Sequence, residues 1–197
     1  HAQIGAPDVL FNNAGIAYMG KFLDCDLAHW QRILNVNLMG VVHGCYHFIP
    51  LMLAAGGPRQ IVNVSSTASY APSPSMASYA ASKFAVAGFC DVLRMELDGT
   101  PIGVTDVCPG VINTAITASG AAPSMQQSGQ LQRLQDYYIK QGCLPEVVAN
   151  DVVRAVQTGK TLVLTGPYSR LLYHLKRFSR RLLFKITLST APKVGYL

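Results

Sequence analysis

Short runs of apolar and β-branched residues alternate along the chain with longer segments whose apolar positions recur every three or four residues. Pro7 to Asn12, Gln60 to Val64, Gly103 to Cys108 and Thr161 to Thr165 are near-continuous runs, the composition of strands covered on both faces. Between them lie helical patterns. The first begins near Asp26 or Leu27, with Asp24 and Asp26 as capping candidates, carries Trp30, Ile33, Leu34, Leu38 and Val41, and closes at Gly56-Gly57. The second, Met76 to Leu97, carries Phe84, Val86, Phe89, Val92, Leu93 and Met95. The third opens at Pro145-Glu146, carries Val147, Val148, Val152, Val153 and Val156, and ends at Gly159. Strands separated by helices predict parallel pairing, because a crossover must return the chain to the same end of the sheet. The expectation is an α/β fold with a three-layer, doubly wound parallel sheet.

A length of 197 residues suits one domain with a sizeable core, and 50% hydrophobic against 13% charged residues excludes a disordered chain. No run approaches eighteen uninterrupted apolar residues and no signal peptide is visible, so a spanning helix is not expected. The five cysteines are odd in number and scattered, without a C-x-x-C pair, and predict buried thiols in a reducing compartment. The net charge of +6 is unevenly placed. From Val152 onward there are nine Lys/Arg and no Asp/Glu, whereas the first 151 residues sum to −3.

Candidate chemistry gathers between Asn63 and Lys83. The strand ending at Val64 delivers Ser65 and Ser66 to the sheet edge, and a Pro/Ser loop leads to the helix carrying Tyr79 and Lys83. Residues four apart share a helix face. An ammonium beside a phenol favours the phenolate and lowers its pKa, so this Tyr would exchange a proton with an alcohol or carbonyl near neutral pH. Asn37 stands inside the first helix, where its amide competes with the backbone. His43 and His47, also four apart, share a face, but there is no H-E-x-x-H and no third ligand, so no metal site is expected. They suit a face packed on a neighbouring subunit. A hydrolase triad is disfavoured because G-x-S-x-G is missing.

Asn12-Asn13-Ala14-Gly15, Val36-Asn37-Leu38, Ser66, Tyr79/Lys83 and Pro109-Gly110 together resemble the short-chain dehydrogenase/reductase family, in order and spacing, from about Asp8 to Gly166. The resemblance implies a Rossmann-type oxidoreductase that interconverts a small apolar secondary alcohol and a ketone with NAD or NADP. Tyr79 would be the acid/base, Lys83 its pKa modifier and ribose anchor, Ser66 the donor to the substrate oxygen, and Asn37 a proton-relay residue. Asn12, Ala14, Gly15, Pro109, Gly110 and Thr114 would join Tyr79 and Lys83 along the cofactor cleft. No G-x-x-x-G-x-G or G-x-G-x-x-G occurs, so the resemblance also implies that the family's first three strands, with the phosphate-binding turn and the residue that separates NAD from NADP, are missing from this chain. A non-catalytic cofactor-sensing or assembly protein on the same fold is the alternative.

These readings divide the chain into a dinucleotide-binding part, 1–167, with a substrate lid at 115–142, and a basic tail, 168–197. In the tail, Leu171, Leu175, Phe178, Leu182 and Ile186 draw one apolar stripe among Arg170, Lys176, Arg177, Arg180, Arg181 and Lys185, which predicts a single amphipathic helix. It would either lie on a membrane surface or pack on its own sheet or a second subunit. The expected setting is cytoplasmic, with peripheral membrane contact through the tail, a homo-oligomeric state, and no nucleic acid partner.

Overall fold

A computed structural model describes residues 5–197, so residues 1–4 of the first span lie outside it. Four strands, β1 (Val9–Asn12), β2 (Arg59–Val64), β3 (Ile102–Pro109) and β4 (Leu162–Thr165), form one sheet in that order, every pair parallel. All four occupy the predicted runs. Between β1 and β2 run α1 (Leu27–Leu34), a π-helical turn (Asn35–Met39) and α2 (Gly40–Ala55). Asp26 caps α1 by accepting from the His29 amide at 2.8 Å. Next come α3 (Ala77–Glu96) between β2 and β3, then α4 (Pro123–Gln127), α5 (Gln130–Gln141) and α6 (Pro145–Thr158) before β4. Gly159 ends α6 with φ +64°, a conformation that glycine adopts without strain.

Alternation along the strands divides the core. Ile61 and Val104 face α2 and α3, packing with Val41, Cys45, Met52 and Val86. Val62, Val107 and Val163 face Val152 and Ala155 of α6. Within the helical run Leu27–Ala55 one 18-residue window has a mean hydropathy of 1.5, long and apolar enough to cross a membrane by length and composition, although it holds no eighteen uninterrupted apolar residues. Here it is a flank of the sheet, with Val41, Cys45 and Met52 in the core.

One polar row crosses the apolar layer. Asn12, Asn63 and Asp106 are register partners on three adjacent strands, so their side chains share the face under α2 and α3. The Asn12 Nδ2 donates to Asn63 Oδ1 at 2.8 Å, and the Asn63 Nδ2 donates to Cys90 Sγ at 3.4 Å. Burial pushes the Asp106 carboxyl above the usual carboxylate range. All five cysteines are free, and burial raises Cys45 to about 11 and Cys90 to about 12, which leaves these two as unreactive thiols at neutral pH.

The tail differs from its expected form. It is two helices, α7 (Ser169–Phe178) and α8 (Arg180–Val194), not one. Ser179 leaves the helical region at φ −154°, ψ 106°, and its hydroxyl accepts from the Leu182 amide, so a serine that caps the next helix interrupts the stripe. Nor is the stripe the buried face. Leu171, Phe178, Leu182 and Ile186 are exposed, whereas Leu183 and Ala191 enter the interior and Val194 and Tyr196 pack beside Met125 and Leu134.

Candidate active site

Parallel strands bring their C-terminal ends to one edge, and the loops that leave β1, β2, β3 and β4 surround a cavity of about 1010 Å³ there. Ser66, Tyr79 and Lys83 all line it, as do Gly15, Pro109, Gly110 and Thr114. Ser65 lines the cavity as well, but the β2 end shows why Ser66 is the better placed for its chemistry. The Ser65 hydroxyl is bonded to the Val107 carbonyl at 3.2 Å and to Cys108 Sγ at 3.1 Å, which ties the two strand ends together. Ser66, one step on, caps a short turn, Thr67–Ser69, by accepting from the Ala68 amide at 3.1 Å.

Tyr79 and Lys83 lie on α3 as predicted, with the Lys83 Nζ 5.8 Å from the Tyr79 ring centroid. Lys83 is only 3% exposed, and its Nζ donates to the Val64 carbonyl at 2.8 Å. Desolvation drives its pKa from 10.5 down to about 8, with Asp106 opposing. Tyr79 departs from the expected direction. Burial pushes its phenol up to about 12, while the neighbouring Ser66 hydroxyl acts to lower it. The phenol is therefore in its acid form at neutral pH.

Asn37 is completely buried and does not line the cavity. Its Oδ1 accepts from the Ile16 amide at 2.8 Å, and its Nδ2 donates to the Ile16 carbonyl at 2.9 Å and to Ser82 Oγ at 3.0 Å. The side chain thus clamps the loop after β1 to α3, and it does so from the π-helical turn, a local widening that recurs where helices carry functional groups. Gly15 lies where the clamp holds it. A Cβ there would stand 3.4 Å from the Lys83 Nζ and 3.6 Å from Asn37 Oδ1. At Gly110 a Cβ would collide with the Pro167 carbonyl oxygen, so the turn after β3 can pass the β4 loop only without a side chain.

Asn12 and Ala14 are not among the cavity-lining residues. The Asn12 amide is spent on Asn63 and packs against Gly44 of α2, and Ala14 is exposed, so β1 presents Phe11 and the loop after it Asn13 and Gly15 instead. Sequence reasoning also missed Tyr137, Tyr138 and Tyr196, which line the cavity, the last two packed in the same cluster as Tyr79. The Tyr138 and Tyr196 hydroxyls meet at 3.0 Å, and the Ser75 hydroxyl donates to the Tyr196 carbonyl at 2.7 Å. The adjacent tyrosines were visible in sequence, but nothing local indicated that residues beyond α8 fold back over the pocket. The segment 115–142 contains α4 and α5 and is joined to the β1 loop by the Met19 amide to the Gly120 carbonyl, 3.0 Å, and the Ala122 amide to the Met19 carbonyl, 2.7 Å.

Comparison with known proteins matches this arrangement. The short chain dehydrogenase family model aligns with residues 1–124. Probable oxidoreductase EphD of Mycobacterium tuberculosis is 39% identical over 181 residues, covering 89% of this chain and 31% of that protein. Putative oxidoreductase SadH of the same organism is 34% identical over 169 residues, covering 84% and 60%. The chain thus spans between about a third and three fifths of the length of these relatives. Among solved structures, a short chain dehydrogenase/reductase from Burkholderia phymatum in complex with NAD superposes with a TM-score of 0.81 at 28% identity, over 90% of this chain and 67% of that one. With its strand order, its Ser66/Tyr79/Lys83 wall and a family match over more than half its residues, this chain belongs to the short-chain dehydrogenase family of NAD- or NADP-dependent oxidoreductases.

Proposed function

We propose that the complete protein interconverts a secondary alcohol and a ketone on an apolar substrate, with Tyr79 as the proton-transferring group. The observation that carries this reading is the placement of Ser66, Tyr79 and Lys83 on one cavity wall. The residues present fit the nicotinamide and its ribose. Gly15 leaves open the space beside the Lys83 Nζ that any larger residue would begin to fill, and Gly110 and Thr114 border the same space. Bound NAD(P) would supply or take up the hydride.

The chain's own groups do the rest. Ser66 would donate to the substrate oxygen, and the Tyr79 hydroxyl would transfer a proton to that oxygen as negative charge develops on it. Burial holds the phenol near 12, so at neutral pH Tyr79 carries the proton that it would give to the substrate oxygen. Lys83, anchored on Val64, would hold the ribose and keep a positive charge behind the phenol. Asn37 would serve by fixing the Ile16 loop and α3 relative to each other, with a relay role left to its second Oδ1 lone pair. The remaining lining, including Met19, Ile112, Leu172 and Leu175, suits an apolar substrate.

We also infer a homo-oligomer through α2 and α3, whose outer faces expose Tyr46, Leu53, Val92 and Met95 beside His43 and His47. The buried free thiols support a reducing, cytoplasmic setting. The test of activity is oxidation of NADH or NADPH by the complete protein with a panel of apolar ketones, followed by the absorbance of the reduced nicotinamide. Turnover that Tyr79→Phe abolishes is expected. Turnover that Tyr79→Phe leaves intact would overturn the assignment.

A further inference from the structure

The tail carries seven Lys/Arg and no acidic residue, and none of the ion pairs among the described residues involves them. Its apolar groups are divided between two faces. Leu183, Ala191 and Val194 fasten α8 inward, while Leu171 and Phe178 stand on the outward side of α7 at 64% and 85% exposure. On α8, helical spacing puts Arg181 and Lys185 on the outer crest, Leu182 and Ile186 along one flank, and Phe184 and Leu188 along the other. The Arg180 guanidinium lies over the Phe184 ring at 5.1 Å, so cation and apolar surface are interleaved. Leu171 and Ile186 have a second property: both line the active-site cavity while being exposed, which puts the mouth of the cavity on this surface.

We propose that α7 and α8 form a docking surface for an anionic lipid bilayer, with the mouth of the cavity facing the lipid. Charge complementarity selects this occupant. Lysines and arginines with long stems reach phosphate while neighbouring Leu, Ile and Phe enter the headgroup boundary, which is the pattern of interfacial helices. A second copy seated on this face would bring two sets of seven cations together without one acidic partner. A nucleic acid would neutralise the charges but leave Leu171 and Phe178 in water. The clause about the mouth rests on the proposed activity, whereas docking itself requires neither cofactor nor turnover.

The experiment is co-sedimentation of the full chain with phosphatidylcholine vesicles, with and without phosphatidylglycerol. Binding is expected only to the anionic vesicles and should weaken as salt is raised. Arg181→Gln should weaken it about fivefold, and Phe178→Ser about tenfold or more. Neither residue lines the cavity, and both are exposed, so melting temperature should not move. Equal binding to neutral vesicles, no binding to either, or variants that bind as well as wild type would each overturn the proposal. So would an oligomer that Phe178→Ser dissociates while vesicle binding is unchanged, because that result assigns the face to a second copy.

Discussion

Replacing Lys83 by Met should make the protein more stable and less active at once. The buried ammonium is the costly state. Its pKa falls from 10.5 to about 8, so retaining the charge in the fold costs about 3 kcal/mol at neutral pH. Methionine has a similar length without charge, but it forfeits the bond to the Val64 carbonyl, about 1–2 kcal/mol. The net expectation is a gain of about 1–2 kcal/mol at pH 7. Its pH dependence is distinctive. Below pH 8 the lysine is protonated whether folded or unfolded, and the full cost is present. Between pH 8 and 10.5 the folded state releases its proton first, so the unfolded state holds more protons and wild-type stability climbs with pH. The advantage of Lys83→Met should therefore shrink across that window. Urea unfolding followed by circular dichroism at pH 7 and pH 10 measures both quantities. A variant less stable than wild type at pH 7, or an advantage that is the same at both pH values, would refute the reasoning.

Other positions test other parts of the site. Tyr79→Phe deletes only the transferable proton and should lower kcat about 10²-fold or more while leaving cofactor affinity intact, as read by initial rates and fluorescence titration. Gly110→Ala drives a Cβ into the Pro167 carbonyl oxygen and should cost about 1–3 kcal/mol, with loss of cofactor affinity, measured by thermal unfolding and titration. Asn37→Ala removes three hydrogen bonds that join the Ile16 loop to α3 and should destabilise by about 2–4 kcal/mol. Asn37→Asp keeps the acceptor for the Ile16 amide but loses the donors to the Ile16 carbonyl and to Ser82 and buries a carboxyl group, so it should destabilise at least as much as Ala in the same unfolding assay.

Much of this arrangement was legible because it is local. The strands are apolar runs between glycines and helices, Asp26 is a capping residue before an apolar period, and Tyr79 and Lys83 need only helical spacing to share a face. Features set by distant partners were not legible. Asn12 and Asn13 are adjacent amides with nothing in the chain to say which turns inward, and a strand's alternation directed Asn12 to Asn63. The phenol of Tyr79 moved up rather than down because burial, which is invisible in a sequence, is the largest influence on it. In the tail the apolar period ran through Ser179 undisturbed, yet its hydroxyl and extended backbone start a new helix there. Tyr196 reached the cavity through the fold of α8, a contact spanning 58 residues from Tyr138.

The polar row through Asn12, Asn63 and Asp106 also checks strand alignment. A parallel sheet of valines and isoleucines can slide without losing much, since one apolar side chain replaces another. Here a slip of one residue along β2 would turn Asn63 toward Val152 and Ala155 of α6 and leave the Asn12 amide facing Val62 or Val64, with only the Cys45 sulfur, at 3.6 Å, for its Nδ2. Each stranded amide would cost about 1–3 kcal/mol, against roughly 0.8 kcal/mol for a methylene in the same layer. Strands that join out of step would thus be rejected early, and the serine, tyrosine and lysine would meet only on a correctly aligned sheet.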